Sequence, residues 1–420
     1  MNKRQFIRTL TATSLTLPSF GKSLDKIPSR FEQQKPNKLA QNEDFWAGIR
    51  KAYKIKPDYI NLENGYYSFA PQETIEAFIS NVREINFEAS YYMRTRQFDD
   101  KAESRKKLAA LAGCSEEELI ITRNTTESLD TVIAGYDWKA GDEAVMAMQD
   151  YGAMLDMFKL QARRYGIVNK IVSIPNHPKS DEEIIEIYDK AITPKTRLLM
   201  VCHIINITGQ ILPIRKICDM AHAKGVDVMV DGAHALAHID YKISDLGCDY
   251  YGSSLHKWLS VPLGTGLLYV KKEKISKLWQ MFGDMGYQDD DIRKLNHTGT
   301  HPVHTDLTIS KAIDFHQKIG IERKEARLRF LQEYWTKQVR DIPNIVLNTP
   351  SNAQRACGIA NVGIKTIKPA DLAKTLLDNY KIWTVAIDYA NVQGCRITPN
   401  VYTSTAELDK FVAALKELAA

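Results

Sequence analysis

Short apolar runs alternate with stretches of helical period through the middle of the chain. ELIITR (118–123), EAVMAM (143–148), KIVSIP (170–175), RLLMVCHI (197–204) and VDVMV (226–230) are the apolar runs. ESLDTVIAGY follows the first, and YGAMLDMFKLQARRYG follows the second. In ILPIRKICDMAHAKG (211–225), Ile214, Ile217, Cys218 and Ala221 fall at i, i+3, i+4 and i+7, which is one apolar helix face. Pro213 suits the first helical turn and Gly225 suits the position just past the end. Apolar strands alternating with amphipathic helices predict βαβ units, hence an α/β fold with a mostly parallel sheet and helices on both faces. After about residue 320 the pattern changes to a long charged helix, IERKEARLRFLQEYWTKQVRDI, then short strands and a final helix from Ala406 to Ala420. That predicts a large domain over 70–315 and a smaller α+β domain over 316–420. Residues 26–69 read as a linker or arm that contributes to the smaller domain, and the polar stretch 21–45, which overlaps its start, as a linker.

Open parallel sheets bind ligands beyond the carboxyl ends of their strands. The polar residues after each predicted strand should therefore converge. They are Arg123–Glu127, Gln149–Tyr151, Asn206, Asp231–His234, and Ser253–Lys257 within YYGSSLHKW. Lys257 alone reads equally as a solvated charge. In a Ser/Gly turn after a strand, it reads as an amine whose pKa burial lowers, able to attack an aldehyde and form a Schiff base. Asp231 either caps the next segment or faces a heterocyclic nitrogen. Pyridoxal phosphate needs such a pair, a lysine on its aldehyde and an acid on its ring nitrogen. Thr125 and Thr126 at a strand-to-helix turn offer hydroxyls and a helix N-terminus to an anion, or simply an N-cap.

With these residues in place, the chain resembles the fold-type I pyridoxal-phosphate enzymes of the class V aminotransferase family, in particular isopenicillin N epimerase-like proteins. The resemblance runs from about residue 55 to 420. It rests on the stretch from His203 to Trp258 and on INLENGYYSFAP (60–71), TRNTTESLD (122–130), GTHPVHTDL (299–307) and CRITPNVYTSTAELDKF (395–411), in that order. The resemblance implies pyridoxal 5'-phosphate as cofactor, an amino acid as substrate and chemistry at the α-carbon. It implies that Lys257 carries the cofactor and moves protons, that Asp231 pairs with the pyridine nitrogen, and that His234 sits near the phenolic oxygen. Tyr151 would stack on the ring and Asn206 would bond the 3-hydroxyl side. Thr125, Thr126, Ser254 and His256 would bind the phosphate. Thr300 would reach the phosphate of a neighbouring subunit, which implies a homodimer. Arg396 would clamp the substrate carboxylate. Tyr66 and Tyr67 would lie at the mouth, where the family has a smaller residue at the first position. Arg94 and Arg96 are candidates for reading a second substrate carboxylate. Epimerisation, transamination and carbon–sulfur lysis share these residues, and a copy that keeps the fold without turnover is the non-enzymatic alternative.

Composition changes this picture little. The chain has 420 residues, 44% hydrophobic and 25% charged, with a net charge of +5. That balance gives no footprint for nucleic acid, and no run is long enough for a membrane-spanning helix. The six cysteines are scattered with no C-x-x-C pair and read as buried thiols. His297, His301 and His304 have no shared helical face around Pro302, so no metal is expected there. Cys395 lies beside Arg396, but the loop WTVAIDYANVQG (383–394) that precedes them carries no nucleophilic cysteine of the desulfurase type. The first 25 or so residues read either as a twin-arginine-like export signal, with Lys3–Arg4 at its start, or as a disordered basic tail, so the location is periplasmic or cytoplasmic accordingly.

Overall fold

The computed structural model describes Phe31 and residues 33–420; the possible export segment lies outside the described residues. The first strand, β1 (Ile60–Asn61), belongs to the arm. Seven strands then build the large sheet: β2 (Leu119–Thr122), β3 (Glu143–Ala147), β4 (Val168–Val172), β5 (Thr196–Cys202), β6 (Asp227–Asp231), β7 (Tyr250–Ser254) and β8 (Gly266–Val270). Their order is β2-β8-β7-β6-β5-β3-β4, and only β8 runs antiparallel to its neighbours. Helices cover both faces, so β2, β3, β7 and β8 are buried at every position, polar Thr122, Glu143, Ser253 and Ser254 included. Edge strand β4 is the exception, with Val168 and Ile171 exposed. The predicted strands are present within three residues of their expected limits, β4 being the most displaced. β8 was not anticipated, because it returns antiparallel between two parallel neighbours without a helix to announce it.

The predicted helix of 211–225 runs from Ile214 to His222 and buries its four expected residues, Ile214, Ile217, Cys218 and Ala221. Pro213 stands just before it rather than inside its first turn. Helices Gln72–Glu88 and Gln97–Ala112 pack on Val303–Ile319 to one side of the sheet.

A second, antiparallel sheet is formed by β9 (Ile345–Leu347), β10 (Ala360–Ile364), β12 (Val385–Tyr389) and β13 (Val392–Ile397), in the order β12-β13-β10-β9, while β11 (Ile382–Trp383) pairs in parallel with β1. Helices Ile321–Val339, Pro369–Tyr380 and Thr405–Ala419 close its core around Leu331, Trp335, Val362, Ile397 and Phe411. The later part of the 21–45 stretch is not a linker: Pro36–Leu39 is a helix, and a second, Glu43–Arg50, begins within it; together they bury Leu39, Phe45, Trp46 and Ile49. Asn42 starts the second of them by accepting the Phe45 N–H at 3.1 Å. In the charged helix 321–339, Lys324 and Arg327 are buried.

Candidate active site

β6 and β7 lie parallel, with Asp231 opposite Gly252, so their carboxyl ends open onto one crevice. Asp231 ends β6 with a buried carboxylate, whose Oδ1 accepts the Ala233 N–H at 3.0 Å and so turns the chain toward His234. Beyond β7 the turn at Leu255–Ser260 brings Lys257 back over this point, with Nζ 3.1 Å from His234 Nε2. Trp258 is fully buried and stacks on His238, with ring centroids 3.7 Å apart. Its indole N–H donates to His234 Nδ1 at 3.3 Å. A neutral imidazole that accepts at Nδ1 carries its hydrogen on Nε2. His234 therefore presents a donor to Lys257, which suits an amine in its neutral form. His238 fixes the arrangement from behind, accepting the Gly358 N–H at Nε2 (2.8 Å) and donating from Nδ1 to the His234 carbonyl (2.7 Å).

The electrostatics agree. Burial pushes the partly exposed Lys257 amine down to about 8, against the opposing pull of the Asp231 carboxylate. Burial raises Asp231, opposed by the Ala233 N–H and by Lys257. His234 is held well below its usual value by burial and then by the Lys257 charge.

A second wall comes from helix Thr125–Gly135, which starts directly against the sheet. A Cβ on Gly266 would lie 2.7 Å from Asn124 Cα, so only glycine permits this approach. Asn124 caps the helix through the Glu127 N–H at 2.9 Å. The Thr125 N–H donates to Ser254 Oγ at 3.0 Å, and the two hydroxyls lie 2.7 Å apart. Thr126 follows in the same turn, half-buried. His256 completes this wall with a buried Nδ1 that has no hydrogen-bond partner, and burial followed by the Lys257 charge takes it down to about 4. The ring of half-buried Tyr67 sits 6.4 Å from that of His256.

The third wall joins the two sheets. Arg396 on β13 donates from Nη1 to the Asn206 carbonyl at 3.3 Å, and from Nε and Nη2 to Glu63 Oε2 and Oε1 at 3.1 and 2.5 Å. A Cβ on Gly65 would lie 2.8 Å from the guanidinium carbon, so Gly65 gives Arg396 its place. The Asn206 side-chain oxygen is buried without a partner. Tyr389 stands beside Asn206 and Arg396, its hydroxyl raised chiefly by burial. Arg396 pushes the Lys257 amine down and Glu63 pushes it up, so the walls share one field.

Not every expected residue is drawn in. Tyr151 precedes helix Gly152–Tyr165 at the rim, 47% exposed, and Tyr66 is 76% exposed. Arg123 is spent on Glu127 at 2.9 Å, while Gln149 clamps the Ile174 backbone. Asp150 turns inward to the Ala147 N–H, and burial raises it to about 7. Thr300 is exposed on the 297–302 loop and lines a separate cavity of about 680 Å³ with Phe98, Arg105, Arg293 and His301. Arg96 is paired with Glu84, Glu88 and Asp100, which leaves it little charge to offer a substrate; Arg94 is exposed on helix Ser90–Thr95. His297, His301 and His304 have different neighbours, Asp284, Asp306 with Lys101, and Phe78 respectively. Cys395 faces the core of the smaller sheet, as alternation along β13 requires with Arg396 on the other face. The unanticipated members of the site are Glu63, Tyr389, Trp258 as a donor, and His238. INLENGYYSFAP contained the signal for Glu63, a carboxylate ahead of a glycine.

The family profile of class V aminotransferases ("Aminotransferase class-V") matches residues 67–409. The chain belongs to this family. The family uses pyridoxal phosphate, and the chain is a pyridoxal-phosphate enzyme related to isopenicillin N epimerases and cysteine desulfurases. Isopenicillin N epimerase of Streptomyces clavuligerus is 26% identical over 390 residues, covering 89% of this chain and 98% of that relative. Cysteine desulfurase of Haloferax volcanii is 23% identical over 386 residues, covering 85% and 88%. Among solved structures, apo cysteine desulfurase from Thermococcus onnurineus NA1 superposes with a TM-score of 0.79 at 21% identity, covering 88% of this chain and 97% of that one. At that identity the likeness shows the fold alone. The residues present fit the cofactor: an amine held toward its neutral form lies in the field of a buried carboxylate, and Asn206 and His256 each keep a buried polar atom without a partner.

Proposed function

We propose that the protein acts at the α-carbon of an amino acid, as an epimerase- or aminotransferase-like enzyme of class V. Pyridoxal phosphate, when bound, supplies the electron sink that makes the Cα–H bond acidic. Lys257 would hold the cofactor, and its Nζ would take the substrate α-proton. Asp231 would hold the pyridine nitrogen, a contact that would offset the burial of its carboxylate. His234, through Nε2, and Asn206 would hold the phenolic-oxygen side. Thr125, Thr126, Ser254 and His256 would bind the phosphate at the start of helix Thr125–Gly135, with Tyr151 beside the ring. Arg396 receives the substrate carboxylate. Thr300 serves the second subunit of a homodimer, in keeping with its exposed position away from Lys257.

The observation that carries this reading is the Lys257 amine, brought down to about 8 beside the buried Asp231 carboxylate and 3.1 Å from His234. A carbon–sulfur lyase is the second reading, favoured by the cysteine desulfurase relatives. The loop Trp383–Gly394 has no cysteine to carry a persulfide, so sulfur would leave directly. The test is a screen of L- and D-amino acids in deuterated water, following α-proton exchange, racemisation, keto acid and sulfide. Exchange with racemisation or keto acid supports the first reading, sulfide supports the second, and no α-proton exchange with any amino acid sinks both.

A further inference from the structure

Arg396 is already bonded to a carboxylate. Glu63 takes Nε and Nη2, and both side chains are nearly buried, 9% and 6% exposed. Glu63 is not a mobile visitor: its Oε1 also accepts the Tyr66 N–H at 2.9 Å, and its own N–H donates to Asn61 Oδ1 at 3.2 Å. An isolated parallel bridge to Thr398 ties the same residue to the chain just past β13, the strand that carries Arg396. A guanidinium has five N–H groups. Two serve Glu63 and one serves the Asn206 carbonyl. That leaves two, one on each terminal nitrogen, enough for the two oxygens of one incoming carboxylate. The pair as a whole is neutral, so that carboxylate binds against the field of Glu63 at close range.

We infer that Glu63 is a specificity-determining residue of the substrate site, a fixed internal anion that weakens carboxylate binding at Arg396 and selects neutral or cationic amino acids over dicarboxylic ones. The inference rests on Arg396 as the carboxylate receiver. Arg96, one of the two arginines expected to read a second carboxylate, is itself paired with three acids.

The test uses the cofactor-loaded protein and propionate, a carboxylate without an amine, titrated by calorimetry. Glu63→Gln is expected to tighten propionate about tenfold or more, and to narrow the preference for L-alanine over L-aspartate in exchange kinetics. Glu63→Ala, with melting temperatures recorded for both variants, guards against a misfolded protein, and either folded variant suffices. Unchanged or weaker propionate binding in the folded variants, or an unaltered alanine/aspartate ratio, overturns the inference. Arg396→Ala separates the two levels: if it leaves propionate binding intact, the carboxylate site itself is wrongly placed. If it abolishes binding while the Glu63 variants behave as wild type, the role of Glu63 alone falls.

Discussion

Among the described residues burial lowers three lysines, Lys257, Lys294 and Lys324; the two lowered furthest differ in kind, because only Lys257 stands in a site. Burial lowers Lys257 to about 8 and Lys324 to about 7. They lie on either side of Trp258: Lys257 precedes it in the chain, and Lys324 donates to its carbonyl from helix Ile321–Val339. Around Lys257 are a carboxylate, an imidazole set by its neighbours as a donor, and two buried polar atoms with capacity to spare. Around Lys324 no carboxylate compensates the charge, and the amine is sealed, 5% exposed. A depressed amine pKa therefore marks burial first. Chemistry requires in addition an open path and convergent groups left unsatisfied. Lys324 locks the turn that positions Lys257.

The largest expected effect breaks the comparison outright. Lys257→Ala should lower α-proton exchange by about 10³-fold or more, whereas Lys324→Met should stay within about tenfold. Equal losses would mean that the two lysines do not differ in kind. Asp231→Asn should cost about 100-fold in kcat with the fold intact by circular dichroism, since the amide cannot hold a proton on the ring nitrogen.

Trp258→Phe should act through His234. Without the indole donor, His234 Nε2 is free to accept from the Lys257 ammonium. In the cofactor-free protein, modification of Lys257 by an amine reagent should rise with pH around a midpoint near 8 in the wild type. That midpoint should move upward in the variant, with turnover down about tenfold. A midpoint that stays or falls would show that the tautomer of His234 does not govern the amine.

The smallest effect is on stability. Lys324 has its ordinary value, 10.5, when unfolded and about 7 when folded, so the folded state binds fewer protons between these limits. Its burial cost is complete below about pH 7 and is lifted as pH rises toward 10.5. Wild-type melting temperature should gain more between pH 7 and 9 than that of Lys324→Met, which lacks the titrating amine. Parallel curves would remove Lys324 as the source.

Sequence and structure meet most closely where one element decides the outcome. Apolar runs made β2, β3, β5 and β6 legible, and the polar residues after β5, β6 and the segment that became β7 brought out Asn206, Asp231 and Lys257. The same reasoning overreached at Arg123 and Asp150, because nearby groups of their own loops satisfy them first. Residues whose partners are remote in sequence were not legible. Glu63 meets Arg396 across 333 positions, and His238 meets Gly358 across 120. The burial of Lys324 and Arg327 in the charged helix was not legible either, because it is set by the packing of the Pro36–Leu39 segment and of the turn around Trp258.

The central claim, that Lys257 and not another buried amine anchors the cofactor, is tested most directly by reduction. The protein is incubated with pyridoxal phosphate, treated with borohydride, digested and mapped by mass spectrometry. The expected result is a single pyridoxyl-phosphate adduct on the peptide containing Lys257, with loss of the yellow colour. An adduct on Lys324, or none on Lys257 in a folded protein, would contradict it.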